Sequence, residues 1–210
     1  MKVYVVGGAI GYANWIDNCQ LVGSPDKAQI VLFTGGEDVD PSIYGCKKHP
    51  RTYSNPERDR REKNIFESLT PDQLVVAICR GSQLMSALNG GRIVQDVQGH
   101  ALWGTHEITN DKEVYRITST HHQMQYPYNL PKEDYDVLFW SNGISDGYYA
   151  GDKIDPAIIE KKGEPEIVLY HKKGSPKCLA IQGHPEMMER CELHEMLNNL
   201  INKYAQISLS

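Results

Sequence analysis

The segment Leu74-Val75-Val76-Ala77-Ile78-Cys79-Arg80-Gly81-Ser82-Gln83-Leu84 places a cysteine between a continuous apolar run and a helical pattern. A buried strand that turns straight into a helix exposes the residue at its apex, and small residues two positions to either side, here Ala77 and Gly81, let strand and helix approach closely. The thiol then sits at a helix N-terminus, whose positive end favours the thiolate. The Arg80 backbone N–H, unpaired in the first helical turn, can face a developing oxyanion. Taken alone, a cysteine there is more often a small hydrophobe ending a core strand; the elbow and neighbours around Cys79 reverse this and argue for a nucleophile.

A cysteine nucleophile needs a base, and the base needs an orienting group. Gln182-Gly183-His184-Pro185-Glu186 follows a second apolar run and offers both. In an extended chain His184 and Glu186 project to one side, so the carboxylate can fix the imidazole tautomer that takes a proton from sulfur. Pro185 restricts the backbone between them. The tripeptide alone would pass for a turn before a final helix, with Glu186 complementing its dipole. A third piece, Thr34-Gly35-Gly36-Glu37-Asp38-Val39-Asp40-Pro41, sets two glycines after a strand, where a backbone N–H can face the site as a second oxyanion donor. Asp40-Pro41 starts a helical turn. Asp38 and Asp40 hint at a cation, but no EF-hand-like ligand series follows.

Other chemistry-bearing residues fit blander roles. His106, His121, His122 and His171 lack spacings such as H-E-x-x-H, so no metal is expected; His121 is read as lining the pocket and the other three as surface residues. Glu57-Arg58-Asp59-Arg60-Arg61-Glu62-Lys63 reads as a solvated helix face. Tyr126, Tyr128, Tyr135, Tyr148 and Tyr149, with Trp103 and Trp140, suit a substrate wall or partner interface as well as ordinary loop packing. None of Cys19, Cys46, Cys178 and Cys191 has both an elbow and a helix start around it, and all four read as structural.

The chain has 210 residues, 22 Lys plus Arg against 27 Asp plus Glu, and a net charge of −5, which offers no general attraction for phosphate backbones and argues against nucleic acid. Five scattered cysteines form no C-x-x-C pair, which points to a reducing, cytoplasmic setting. No run of eighteen apolar residues suggests a membrane span, and the first residues lack the basic region and unbroken apolar stretch of a signal peptide. Apolar runs at 2–6, 29–33, 74–78, 114–118, 137–140, 167–170 and 179–182 alternate with helical patterns at 56–69, 82–88 and 186–204. That is the α/β pattern, in one domain over residues 1–210. Residues 99–111 and 124–135 read as loops.

Five motifs occur in order: Gly35-Gly36-x-Asp38-x-Asp40-Pro41-x-x-Tyr44-Gly45, Ile78-Cys79-Arg80-Gly81-x-Gln83, Gly90-Gly91-x-x-x-Gln95-Asp96, Ser119-x-His121-His122-Gln123 and Gln182-x-His184-Pro185-Glu186. Together they resemble the class I glutamine amidotransferase superfamily and, within it, the γ-glutamyl-γ-aminobutyrate hydrolase-like peptidases. The resemblance implies a flavodoxin-like, mostly parallel sheet flanked by helices, and a triad of Cys79 as nucleophile, His184 as base and then acid, and Glu186 as orienting carboxylate. It implies oxyanion donors at Gly36 and Arg80, and contacts to the glutamyl moiety from Gly35, Gln83, Ser119, Thr120 and His121. Arg58-Asp59 matches a pair near the family's site, read as a buried or rim ion pair. Ala77 stands where many relatives have glycine, and Gly7-Gly8-Ala9-Ile10-Gly11-Tyr12-Ala13-Asn14-Trp15 and residues 99–107 match no motif of the hydrolases. The implied substrate is glutamine or another γ-glutamyl amide, with no cofactor. The leading expectation is a hydrolase of that amide. The alternatives are a glutaminase subunit serving a separate synthase and, behind it, a catalytically silent binding protein; the candidate protein partners are a synthase subunit or a second copy in a homo-oligomer.

Overall fold

A computed structural model describes residues 1–142 and 147–205, apart from the side chain of Leu102. Its strands are β1 (Lys2–Val5), β2 (Gln20–Leu21), β3 (Ile30–Phe33), β4 (Leu74–Ile78), β5 (Arg92–Val94), β6 (Asp96–Val97), β7 (Ala101–Thr109) and β8 (Val114–Thr120). They continue with β9 (Met124–Tyr126), β10 (Tyr135–Ser141), β11 (Tyr149–Ala150), β12 (Glu164–Tyr170) and β13 (Lys177–Ile181). The helices are α1 (Pro56–Glu67), α2 (Arg80–Leu88), α3 (Pro156–Lys162) and α4 (Glu192–Tyr204).

Nine strands form one sheet in the order β2-β1-β3-β4-β13-β12-β10-β7-β8. The pairings from β2 to β13 are parallel; from β13 outward, through β12, β10, β7 and β8, they are antiparallel. The parallel strands read as unbroken apolar runs because both their faces are covered. Val31, Phe33, Val75 and Ala77 point into one core layer with Leu84 and Met85 of α2 and Phe66 of α1. Ile30, Leu32, Leu74, Val76 and Ile78 point into the other, against Leu193, Met196, Leu197 and Ile201 of α4. This is the α/β sheet flanked by helices, and it sends the C-terminal ends of β3, β4 and β13 to a common edge.

Three local expectations change. Residues 99–111 are mostly not a loop: β7 takes up 101–109 and pairs with β8, Thr105 opposite Thr118 and Ile108 opposite Tyr115. The strand escapes a hydrophobic pattern because one of its inward residues is His106, beside Ile108. Residues 124–135 begin with the buried strand β9. The last helix starts at Glu192 rather than 186, after a separate 3₁₀ turn, Pro185–Met187. Cys191 N donates to His194 Nδ1 and closes the start of α4, while residues 185–187 are kept for the site. No helix among the described residues is long and apolar enough to cross a membrane.

Candidate active site

At the end of β4 the chain reverses in one residue. Cys79 takes φ 52° and ψ −108°, a left-handed conformation that a non-glycine residue holds only when its surroundings impose it. Those surroundings are specific. Cys79 N–H donates to Ile181 O of β13 at 2.8 Å, and α2 begins at the next residue. Gly81 explains how closely the elbow sits on the sheet, since a Cβ there would lie 2.6 Å from the Phe33 carbonyl oxygen.

β13 delivers the base to the same place. His184 N–H donates to Thr118 Oγ1 at 2.6 Å, its Nδ1 lies 2.7 Å from Glu186 Oε1, and its ring hydrogen-bonds the Cys79 side chain. Burial works against the charged imidazole, but the hydrogen bonds and charges of Cys79 and Glu186 outweigh it and push its pKa up to about 10. The ring is therefore held ready as an imidazolium beside sulfur.

The turn after β3 completes the constellation. Gly35 packs so closely on the imidazole that an added Cβ would stand 2.8 Å from His184 Cε1. Gly36 has φ 141°, where a side chain is strained, and a Cβ there would meet Arg58 Nη1. Arg80, first residue of α2, supplies an N–H with no acceptor one helical turn back.

The residues expected to hold the glutamyl group are differently engaged. Gln83 is buried and donates from Nε2 to Gln123 O at 2.9 Å. Ser119 turns its hydroxyl to His100 O at 2.7 Å. Thr120 Oγ1 is buried without a partner among the described residues, as is His121 Nε2, while His121 Nδ1 faces Gln123 O at 2.9 Å. Burial first, and then the neighbouring charge on His100, push the pKa of His121 down to about 3, so its ring is neutral.

His106 is a correction: it is buried, not at the surface, with Nε2 2.9 Å from Glu166 Oε1. His100, which the spacing did not single out, lies 3.1 Å from Glu164 Oε2. His100, His106 and Glu166 present ligand atoms within 4.8 Å of one another and could hold a cation. As placed, each imidazole faces a carboxylate directly; burial works against a charged His100, but the hydrogen bond with Glu164 and the charges of Glu166 and Glu164 outweigh it and raise the His100 pKa. His122 is half-buried between Asp38 and Asp96, and His171 pairs with Asp136 near the surface.

The helix face 57–63 is likewise not wholly solvated. Asp59 and Glu62 are buried and both bind the Arg80 guanidinium. A stretch of alternating charges hides this, because its buried partner is the residue after the cysteine. Tyr12, in the unmatched N-terminal segment, tilts over His184 with ring centroids 6.2 Å apart and lines a cavity of about 590 Å³ with Gly35, Glu37 and Arg58. Tyr126, Tyr128 and Tyr135 are core residues, which settles those three rings as packing.

An α/β sheet that presents a cysteine on a strand-to-helix elbow beside a His-x-Glu turn defines a protein of the class I glutamine amidotransferase superfamily. Within it, the chain belongs to the Peptidase C26 family, whose model matches residues 20–130, and that membership places it among cysteine-dependent hydrolases of C–N amide bonds. It is 28% identical over 166 residues to protein NtpR of Enterococcus hirae, covering 68% of each chain. It is 29% identical over 170 residues to the glutamine amidotransferase-like protein YvdE of Lactococcus lactis subsp. lactis, covering 70% of this chain and 65% of that one. The chain thus spans about two thirds of the length of these relatives. A Thermoplasma acidophilum protein provisionally described as a GMP synthase component shares the fold, with a TM-score of 0.60, 16% identity and coverage of 98% of this chain and 94% of that one.

Proposed function

We propose that the protein hydrolyses the γ-glutamyl amide bond of glutamine or of a γ-glutamyl amine or peptide through a γ-glutamyl thioester on Cys79. The observation that carries this reading is the meeting of Cys79, His184 and Glu186 at the joint edge of β4 and β13. Thiolate attacks the amide carbonyl, and the oxyanion is received by the N–H groups of Gly36 and Arg80. His184, protonated at rest, gives its proton to the departing nitrogen as the C–N bond breaks. Water then attacks the thioester, His184 takes its proton, and glutamate leaves as the thiolate returns. Glu186 holds Nδ1–H throughout, which keeps Nε2 on the sulfur side.

The test is release of ammonium or amine from a panel of glutamine and γ-glutamyl amides, with the mass of the acyl adduct read on Cys79. A glutamyl adduct and turnover that vanish in Cys79→Ala support the reading. Absence of turnover and adduct across the panel, from a folded protein, overturns it. Turnover at ordinary enzymatic rates without a second protein identifies a free-standing hydrolase rather than a glutaminase serving a synthase.

A further inference from the structure

Behind the Gly35-Gly36 turn lies a set of buried charges that the reaction itself does not use. Glu62 divides its carboxylate between two arginines: Oε1 accepts from Arg58 Nε at 2.7 Å, and Oε2 from Arg80 Nη1. Asp59 accepts from Arg80 Nη2 with one oxygen and from the Asp40 N–H, at 2.8 Å, with the other. Positions 58, 59 and 62 share one side of α1 by helical spacing, and all three point at the site. Arg58 carries the connection onward. Its Nη2 donates to the Gly35 carbonyl at 2.9 Å and to Thr34 Oγ1 at 3.2 Å, and its Nη1 to Glu37 at 2.6 Å.

The Gly35 carbonyl and the Gly36 N–H belong to the same peptide unit. That unit is planar and trans, so its C=O and N–H point in opposite directions, and fixing one aims the other. Arg58 holds the carbonyl from outside the turn, which leaves the Gly36 N–H directed inward. Tyr12 Oη accepts the Gly35 N–H and steadies the preceding peptide. On the other side, Arg80 is both the residue whose backbone N–H opens α2 and the residue whose guanidinium is gripped by Glu62 and Asp59.

We infer that Glu62 is a positioning residue which, through Arg58 on one side and Arg80 on the other, sets the separation of the two backbone donors that receive the oxyanion. Ion pairs buried this deeply return little net stability, because the charges give up their hydration, and an apolar filling would serve packing as well. What apolar filling cannot do is hold a carbonyl and a guanidinium at fixed angles. Arg58 cannot be exchanged for lysine at this place, since its planar fork serves the Gly35 carbonyl and two carboxylates at once.

The inference rests on acylation of Cys79 through a tetrahedral oxyanion, but not on the identity of the acyl group. Two reactions of the same sulfur therefore test it. Acylation by p-nitrophenyl acetate passes through an oxyanion; alkylation by iodoacetamide, followed by mass on the Cys79 peptide, displaces iodide without one. Arg58→Gln should slow acylation about 10²-fold, the loss typical of one misplaced oxyanion donor, and leave alkylation at the wild-type rate. Glu62→Gln should do the same, and the double variant should be no slower than the slower single one, because both act through one connection. Arg58 is the safer variant to read, since its side chain reaches the surface and its removal leaves Arg80 paired. Equal losses in both reactions, or acylation unaffected by Arg58→Gln, would overturn the inference. Because the ester carries no glutamyl group, failure of every γ-glutamyl amide would count against the proposed substrate and not against Glu62.

Discussion

His184 Nδ1 and Glu186 Oε1 are 2.7 Å apart, with only Pro185 between the two residues in the chain. A carboxylate brought to an imidazole from so near in sequence needs a backbone that cannot relax. The 3₁₀ turn Pro185–Met187 provides it, anchored by Met188 N to Pro185 O and by His194 near the same carbonyl. The orienting group is therefore part of the loop that carries the base.

This pairing predicts the pH dependence. His184 retains its proton up to about pH 10, against an ordinary 6.5, chiefly because its bonds to Cys79 and Glu186 outweigh burial. Since leaving-group protonation needs that proton, kcat/KM should fall on an alkaline limb near pH 10. Glu186→Gln removes one of the two charges holding the proton and should move that limb to lower pH; a limb that stays in place would assign it to another group. The linked stability has the same sign. It is present in full below pH 6.5 and is lost as pH rises through about 10.

His121 titrates the other way. Its ring is buried and neutral, with a pKa pushed down to about 3, so the unfolded chain binds a proton that the folded one refuses. Stability should therefore drop as pH falls from 6.5 toward 3; the contributions of His100 and His184, whose pKa values are raised, are already complete below 6.5 and stay constant across that range. His121→Asn keeps an amide N–H for the Gln123 carbonyl and has no proton to take up. Its urea midpoint should change less between about pH 7 and about pH 5 than that of the wild type. An equal change would place the acid sensitivity elsewhere, with Glu166 and its histidines.

How much of this could be read from the chain depends on which residues face inward. Cys79 stood out because small residues flank it and an unbroken apolar strand leads into it, and local sequence dictates both. His184 and Glu186 share a pentapeptide, so their relation was legible as well. β7 was not, because His106 takes an inward position that would ordinarily be apolar. The antiparallel half of the sheet was not foreseen either, since strand direction follows from connections and not from residue type. Nor did the charges at 57–63 reveal which are buried: Asp59 and Glu62 face in only because Arg80, distant in sequence, turns back toward them.

The contact between the elbow and β3 gives a last prediction, on stability. Alanine is favoured over glycine in a helix, by up to about 1 kcal/mol in the interior and less in the first turn where Gly81 stands, so local propensity alone would favour Gly81→Ala. The added methyl, however, would stand 2.6 Å from Phe33 O and 3.0 Å from Phe33 C, both backbone atoms of a fully buried strand that cannot swing aside. Overpacking of this kind costs roughly 1–3 kcal/mol, enough to cancel the propensity gain and reverse it. Thermal melting should show Gly81→Ala to be less stable than the wild type, while Gly23→Ala, with no atom within 4 Å of its Cβ, should melt at the wild-type temperature. The displaced strand leads within two residues to Gly35, so Cys79 acylation should fall in Gly81→Ala even at temperatures where the variant is fully folded. A variant as stable as the wild type would mean that α2 can retreat from β3 without cost, and close approach at the elbow would no longer account for the glycine.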